Sequence, residues 1–137
     1  MEIVQDKDNL LAQWVCAGLG ENFDWVGENY TVGFVRSGKL CGALIFHNYR
    51  PQCDVWWTIY TQDKRWCTLK VLRYIFYTAF DVLQCRRISL LVSRSNQKCL
   101  DLVKRLGFRK EGRLRKFREN SEDAFIFSML KNECKWS

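Results

Sequence analysis

Proline and histidine are almost missing from this chain: Pro51 and His47 are the only ones in 137 residues. With a single histidine, and seven cysteines that never form a C-x-x-C pair, the usual ligand sets of a zinc site are not there, and no metal is expected. An odd number of scattered cysteines also makes a poor disulfide framework, which belongs to secreted chains, so these read as reduced thiols used as small hydrophobes. No apolar run reaches the roughly 18 residues of a membrane span. MEIVQDKDNL lacks the charged and apolar regions of a signal peptide. No repeat, low-complexity tract or linker appears, and Pro51 lies in a loop, NYRPQ. These absences predict one domain over residues 1–137, soluble and cytoplasmic, without a membrane partner.

What is present is a 47% hydrophobic, 15% aromatic chain with a net charge of +7, enough apolar material for one core. The charge is uneven. Residues 62–118 hold 16 basic and 4 acidic side chains, whereas residues 1–61 hold 4 and 7. A basic middle suits a phosphate-rich cofactor, an acidic partner or nucleic acid, and it also suits a solvated helix surface. For nucleic acid there is no aromatic ribonucleoprotein strand or other motif, so no specific nucleic-acid partner is expected.

Periodicity predicts a helix over 8–19 and a hairpin of strands 30–36 and 40–47 about Ser37-Gly38-Lys39. A third strand follows at 54–61. Apolar positions 69, 72, 76, 79, 80 and 83 describe one face of a helix ending near Gln84. A strand over 87–94 leads to a helix that Asn96 can cap and Gly107 can stop, and DAFIFSML is the last strand. Strand-helix-strand over 54–92 implies parallel neighbours joined right-handedly, beside an antiparallel hairpin, so the sheet is mixed and the class α/β.

The turn between the third strand and the long helix is a natural anion seat, because first-turn amides have no intrahelical partner. It holds Lys64, Arg65, Trp66, Cys67 and Thr68 and no glycine, which excludes the Walker loop and the dinucleotide fingerprint.

Three segments carry a resemblance: RSGKLCGALIF, RWCTLKVLRYIFYTAFDVLQCRRISLLV and SNQKCLDLVKRLGFRKEGRLRKF, the last with Asn96, Leu106-Gly107-Phe108, Glu111-Gly112 and Arg115. Over roughly residues 28–136 the chain resembles the GCN5-related N-acetyltransferase (GNAT) superfamily, in its ribosomal-protein N-acetyltransferase-like branch. RWCT, LGFRKEGRLR and MLKNECKW look like small acetyltransferase-like proteins of phages and prophages. The resemblance implies the GNAT acyl-CoA N-acyltransferase fold, with two central parallel strands, 54–61 and 87–94, that splay apart around acetyl-CoA. It implies pantetheine along Ile59 and Tyr60, the pyrophosphate against Lys64, Arg65, Trp66, Cys67, Thr68 and Leu69, and Asn96 near the pantetheine or thioester.

Two departures accompany it. Cys67 or Thr68 stands where the family loop has glycine, and Val103 stands where many members place a general-acid tyrosine. Cys99, where the branch often has serine, or an ordered water, is the candidate acid. Asp54 or Glu28 is the candidate base, with His47 and Tyr60 behind them, since a neutral amine is needed to attack a thioester. Core packing is the default for Trp56, Trp57 and Trp66, although one of the adjacent pair must face away from the main helix. Loops 20–28, 48–53 and 117–123 are where an acceptor pocket would form. The expected function is acetyl-CoA-dependent acetylation of an amine, that of a protein first. The alternative is a catalytically degenerate phage protein, virion-internal, structural or bound to a host protein, in which case the compartment is the host cytoplasm.

Overall fold

The computed structural model describes residues 1–136. A seven-stranded sheet runs in the order β1-β2-β3-β4-β5-β7-β6, with β1 Glu2–Gln5, β2 Asn29–Arg36, β3 Lys39–Arg50, β4 Asp54–Thr61, β5 Arg87–Ser93, β6 Arg109–Leu114 and β7 Ala124–Leu130. β4 and β5 are parallel and the other neighbours antiparallel. The hairpin closes on Ser37 and Gly38, both at positive φ, the geometry whose twist matches its strands.

Helix α1 (Leu10–Leu19) covers one face of the sheet, packing Ala12, Val15 and Cys16 on Ala43 and Ile45 of β3. The other face carries α2 (Leu69–Tyr77) and α3 (Gln97–Leu106) over the larger core, in which Phe34, Ile75, Phe76, Ile88, Phe127 and Met129 are buried. Thr68 caps α2 by accepting from Val71 N, and Asn96 caps α3 by accepting from Cys99 N. Gly107, at φ 105, ends α3 in the left-handed region, as its place in the sequence suggests. The long helix expected to end near Gln84 is α in its first half; residues Thr78–Val82 widen into a π turn.

Two strands were not anticipated. β1 is four residues long, and β6, RKEGRL, has charged side chains where a strand signal needs alternation. Both are sheet edges, where charge rather than apolar alternation is the rule because it discourages pairing with other chains. The described residues contain no helix long and apolar enough to cross a membrane, and no group of three or more metal-ligating side chains.

Candidate active site

β4 and β5 pair over only four residues, from Asp54↔Arg87 to Trp57↔Leu90. Beyond that point β4 stays bonded to β3 as far as Thr61↔Gly42, and β5 to β7 as far as Ser93↔Ala124. Each strand follows its outer neighbour, so the central pair parts into a V. The V opens into a cleft of about 1420 Å³. Lys98 Nζ of α3 donates to the Thr61 carbonyl at 2.9 Å, so this carbonyl faces the gap. Backbone groups alternate sides along a strand, which turns the N–H and C=O of Ile59 into the gap as well. Trp57 stands at the apex. It packs against Phe46, Phe76 and Phe108, is 3% exposed, and its indole N–H has no acceptor among the described residues.

The turn after β4 is tightly self-bonded. Asp63 accepts from Arg65 N and holds the Arg65 guanidinium by two nitrogens, with Nη2 2.6 Å from Oδ2. This lowers the Asp63 carboxyl to about 2. Trp66, Cys67 and Thr68 N–H groups bond Asp63, Lys64 and Trp66 carbonyls. Once Thr68 has capped Val71, the amides left over at the start of α2 are those of Leu69 and Lys70. Lys64 lines the cleft and is exposed. Arg65, expected to meet a pyrophosphate, is engaged by Asp63 instead, and Trp66 is 2% exposed, stacked on Phe34 in the core. Cys67 lines the cleft with its thiol pushed up by burial, so it stays neutral there.

Asn96, Lys98, Cys99, Leu102 and Arg105 bring α3 into the wall of the cleft. Asn96 spends its side-chain oxygen on the helix cap, which leaves its amide nitrogen for a ligand. Burial raises the Cys99 thiol to about 11. A thiol that weakly acidic would protonate an ordinary thiolate only uphill, which argues against its use as a general acid. A groove of about 400 Å³ continues outward between α2 and α3, sharing Cys67, Leu102 and Arg105 with the cleft and adding Leu69, Leu72 and Trp136.

The α1 side of the cleft differs from expectation. Asp54 lies at the closed end of the V, buried, where it accepts from Ser89 Oγ at 2.9 Å and faces Arg87 Nε at 3.8 Å. Three steps along the strand separate it from Trp57, about 10 Å. Glu28 is exposed before β2 and does not line the cleft. His47 does line it, but both ring nitrogens are occupied: Nδ1 donates to Asn48 Oδ1 at 2.7 Å and Nε2 accepts from Thr58 Oγ1 at 2.8 Å. Burial lowers its pKa, so the neutral ring is favoured. Tyr60 packs edge-on against Trp14, beneath Gly18, where an added Cβ would fall 2.3 Å from the ring.

The residues missed by sequence reasoning are Glu21 and Arg118. Glu21 follows α1, Arg118 sits in the β6–β7 loop, and they meet at 3.2 Å across the cleft, 97 positions apart. No local spacing signals such a pair. Toward the end of the basic region 62–118, Arg105 and Arg118 reach the cleft, while Arg109 and Arg113 pair with Glu133 and Asp123. Loops 20–28 and 117–123 both contribute to the lining; of 48–53 only Asn48 does.

No family model matches the chain. Against solved structures it superposes on a variant of the spermidine N-acetyltransferase SpeG of Vibrio cholerae with a TM-score of 0.74, over 96% of each chain at 13% identity. The fold is that of the GNAT acetyltransferases. The ribosomal-protein-S5-alanine acetyltransferase of Vibrio fischeri shares the GNAT fold with a TM-score of 0.65 and 19% identity, over 78% of this chain and 64% of that one. In sequence, the chain is 27% identical over 109 residues to the Bacillus subtilis protein named "Putative ribosomal N-acetyltransferase YdaF". That match takes in 74% of this chain and 59% of the relative's length. In sequence, then, the likeness is to a protein named as a ribosomal N-acetyltransferase, and it spans less than two thirds of that protein's length.

Proposed function

We propose that this chain is an acetyl-CoA-dependent N-acetyltransferase acting on a primary amine, with a protein amine as the first candidate acceptor. The observation that carries this reading is the parting of β4 and β5 after Trp57 and Leu90, which frees backbone groups at Ile59 inside a cleft walled by two helices. The residues present fit the cofactor. An extended amide-bearing arm can bond the Ile59 edge as a strand would, and the unpartnered Trp57 N–H is a buried donor in want of an acceptor. The amides of Leu69 and Lys70, with Lys64, Lys98 and Arg105, form the cationic seat for phosphates. The groove between Leu69, Leu102 and Arg105 gives the remainder a path outward.

When bound, acetyl-CoA would supply an activated thioester carbonyl: the neutral acceptor nitrogen would form the C–N bond, the C–S bond would break, and the departing thiolate would take the proton that the nitrogen sheds. The chain's part is to hold that carbonyl beside the β4 edge, keep Cys99 as a neutral wall and receive the amine from the α1 side. The turn seats the phosphates through fewer amides than a glycine-rich loop offers, so moderate rather than tight binding is expected. Calorimetry with acetyl-CoA, CoA and ATP tests the reading: micromolar to sub-millimolar binding of the first two and not the third is expected. A folded protein that binds none of them at millimolar concentration would overturn it in favour of a non-catalytic binding role. Acetylation of alanine-initiated peptides against spermidine then separates protein from polyamine acceptors.

A further inference from the structure

We propose that Glu21 is the anchor and proton acceptor for the acceptor's ammonium group, and that Arg118 is a resident counter-ion which the acceptor displaces; this rests on the acetyltransferase reading above. Gly20, at φ 70, ends α1, and Glu21 N–H bonds back to the Cys16 carbonyl at 2.9 Å. This turn sends the next side chain off the helix and into the cleft. The helix end is fixed in height by Gly18, which lies flush on the Tyr60 ring. Glu21 is therefore the second residue past a helix end, tied back to it by its own N–H, on the face of the splayed strands opposite α2 and α3.

Its partner comes from the far side. The Arg118 guanidinium reaches Glu21 Oε1 through Nη1 at 3.2 Å, and its Nε donates to Ser93 Oγ, the last residue of β5, at 2.8 Å. The two side chains are 19% and 22% exposed, so the pair is largely withdrawn from water while spanning an open cleft. A carboxylate has about four acceptor sites, and Arg118 fills one of those on Glu21 among the described residues. Burial disfavours the Glu21 charge, Glu119 adds to the effect, and Arg118 opposes both. A half-buried carboxylate with room for further donors and a single cationic partner is a cation site whose occupant can be exchanged.

The surroundings select the occupant. Trp25 and Phe117, 39% and 49% exposed, line the same cleft as large apolar surfaces, the Phe117 ring 5.6 Å from the Arg118 guanidinium. Glu119 and Glu122 line the same end, while the lysines lie toward the turn. An ammonium carrying an apolar neighbour satisfies both features. Glu21 takes one proton from that ammonium, the nitrogen keeps the electron pair of the broken N–H bond, and the carboxyl becomes neutral. Partial burial favours that neutral form, so this carboxylate is a stronger base than a fully exposed one. The proton passes to solvent when the acceptor leaves and Arg118 returns.

The test is amine binding in the absence of cofactor, followed by calorimetry and by tryptophan fluorescence, with spermidine and an alanine-initiated peptide as the two probes. One of them is expected to bind the wild-type protein. Glu21→Gln should weaken that binding at least tenfold, and Arg118→Gln, which keeps a donor for Ser93, should strengthen it severalfold. Circular dichroism checks that both variants fold, and CoA titration checks the other half of the cleft, which neither should alter. Unchanged amine binding in Glu21→Gln, equal losses in the two variants, or no amine binding by a wild-type protein that does bind CoA would each overturn the assignment. Failure of the wild-type protein to bind CoA would strike the acetyltransferase reading instead, with the amine titrations still deciding Glu21.

Discussion

The two halves of the β4–β5 pair are built from similar residues and do opposite things. Below Trp57 and Leu90 the strands are bonded to each other, Val55 and Ile88 are core, and a buried carboxylate, Asp54, serves a hydrogen-bond network with Ser89 and Arg87. Above it they are bonded only outward, their facing edges are bare, and the carboxylate of that region, Glu21, comes from a loop. The difference teaches that strand membership did not decide which acid is available for chemistry. Position relative to the point of parting decided it.

Truncation of the residue at the boundary should have the largest effect. Trp57→Ala removes a ring packed on three phenylalanines and should cost about 3–5 kcal/mol of stability, measured by denaturant unfolding. Trp57→Phe, which keeps a ring and removes the unpartnered N–H, should leave unliganded stability within about 1 kcal/mol and weaken CoA binding. Unweakened CoA binding there would remove Trp57 from the cofactor site.

Next comes the lower half. Asp54→Ala should cost about 1–3 kcal/mol by stranding Ser89 and Arg87, whereas Asp54→Asn should retain most stability and most acetyl transfer. Loss of turnover in a stable Asp54→Asn protein would erase the contrast drawn between the halves.

In the upper half, Lys98→Met should change stability by no more than about 0.5 kcal/mol, because the ammonium is exposed. It should weaken CoA binding severalfold and flatten its salt dependence, read by calorimetry at two ionic strengths.

The smallest effect concerns His47. Its folded pKa is lowered, so the unfolded chain takes up this proton first as pH falls. The stability held above the ordinary histidine range, about 6.5, should therefore decline as pH drops below it. His47→Gln should remove that slope, which thermal melts between about pH 7 and pH 5 can show; an identical slope in the variant would mean that other groups set it.

Much of the frame is legible in the sequence because each device is local. Ser37-Gly38 closes a hairpin, Thr68 and Asn96 cap helices, Gly107 stops one, and each acts through neighbours within a few residues. The parallel central pair is legible through the strand-helix-strand order, and its splaying only through the family resemblance. β6 is not, since an edge strand filled with charges has no apolar period to read. Among candidate acids, alternation along β4 gives the face of Asp54 and not its height, and the height excluded it from the cleft. Arg65 looked free because its sequence neighbour Asp63 carries no sign of the two-nitrogen clasp that the turn creates.

The bare edges inside the V also constrain what can enter. An unpaired strand edge on the outside of a sheet invites any extended polypeptide, whereas this one is sunk between two strands whose other sides are already committed. Helices cover both approaches, α1 from one face and α3 from the other, and Lys98 already bonds the outermost carbonyl. A guest must be one chain wide, must present amides at peptide-like intervals, and must be thin enough to reach Trp57 without side branches. If the cofactor binds as proposed, the cleft filters by cross-section before it filters by charge, and a branched peptide laid along β4 is disfavoured by the same architecture that suits a slender amide chain.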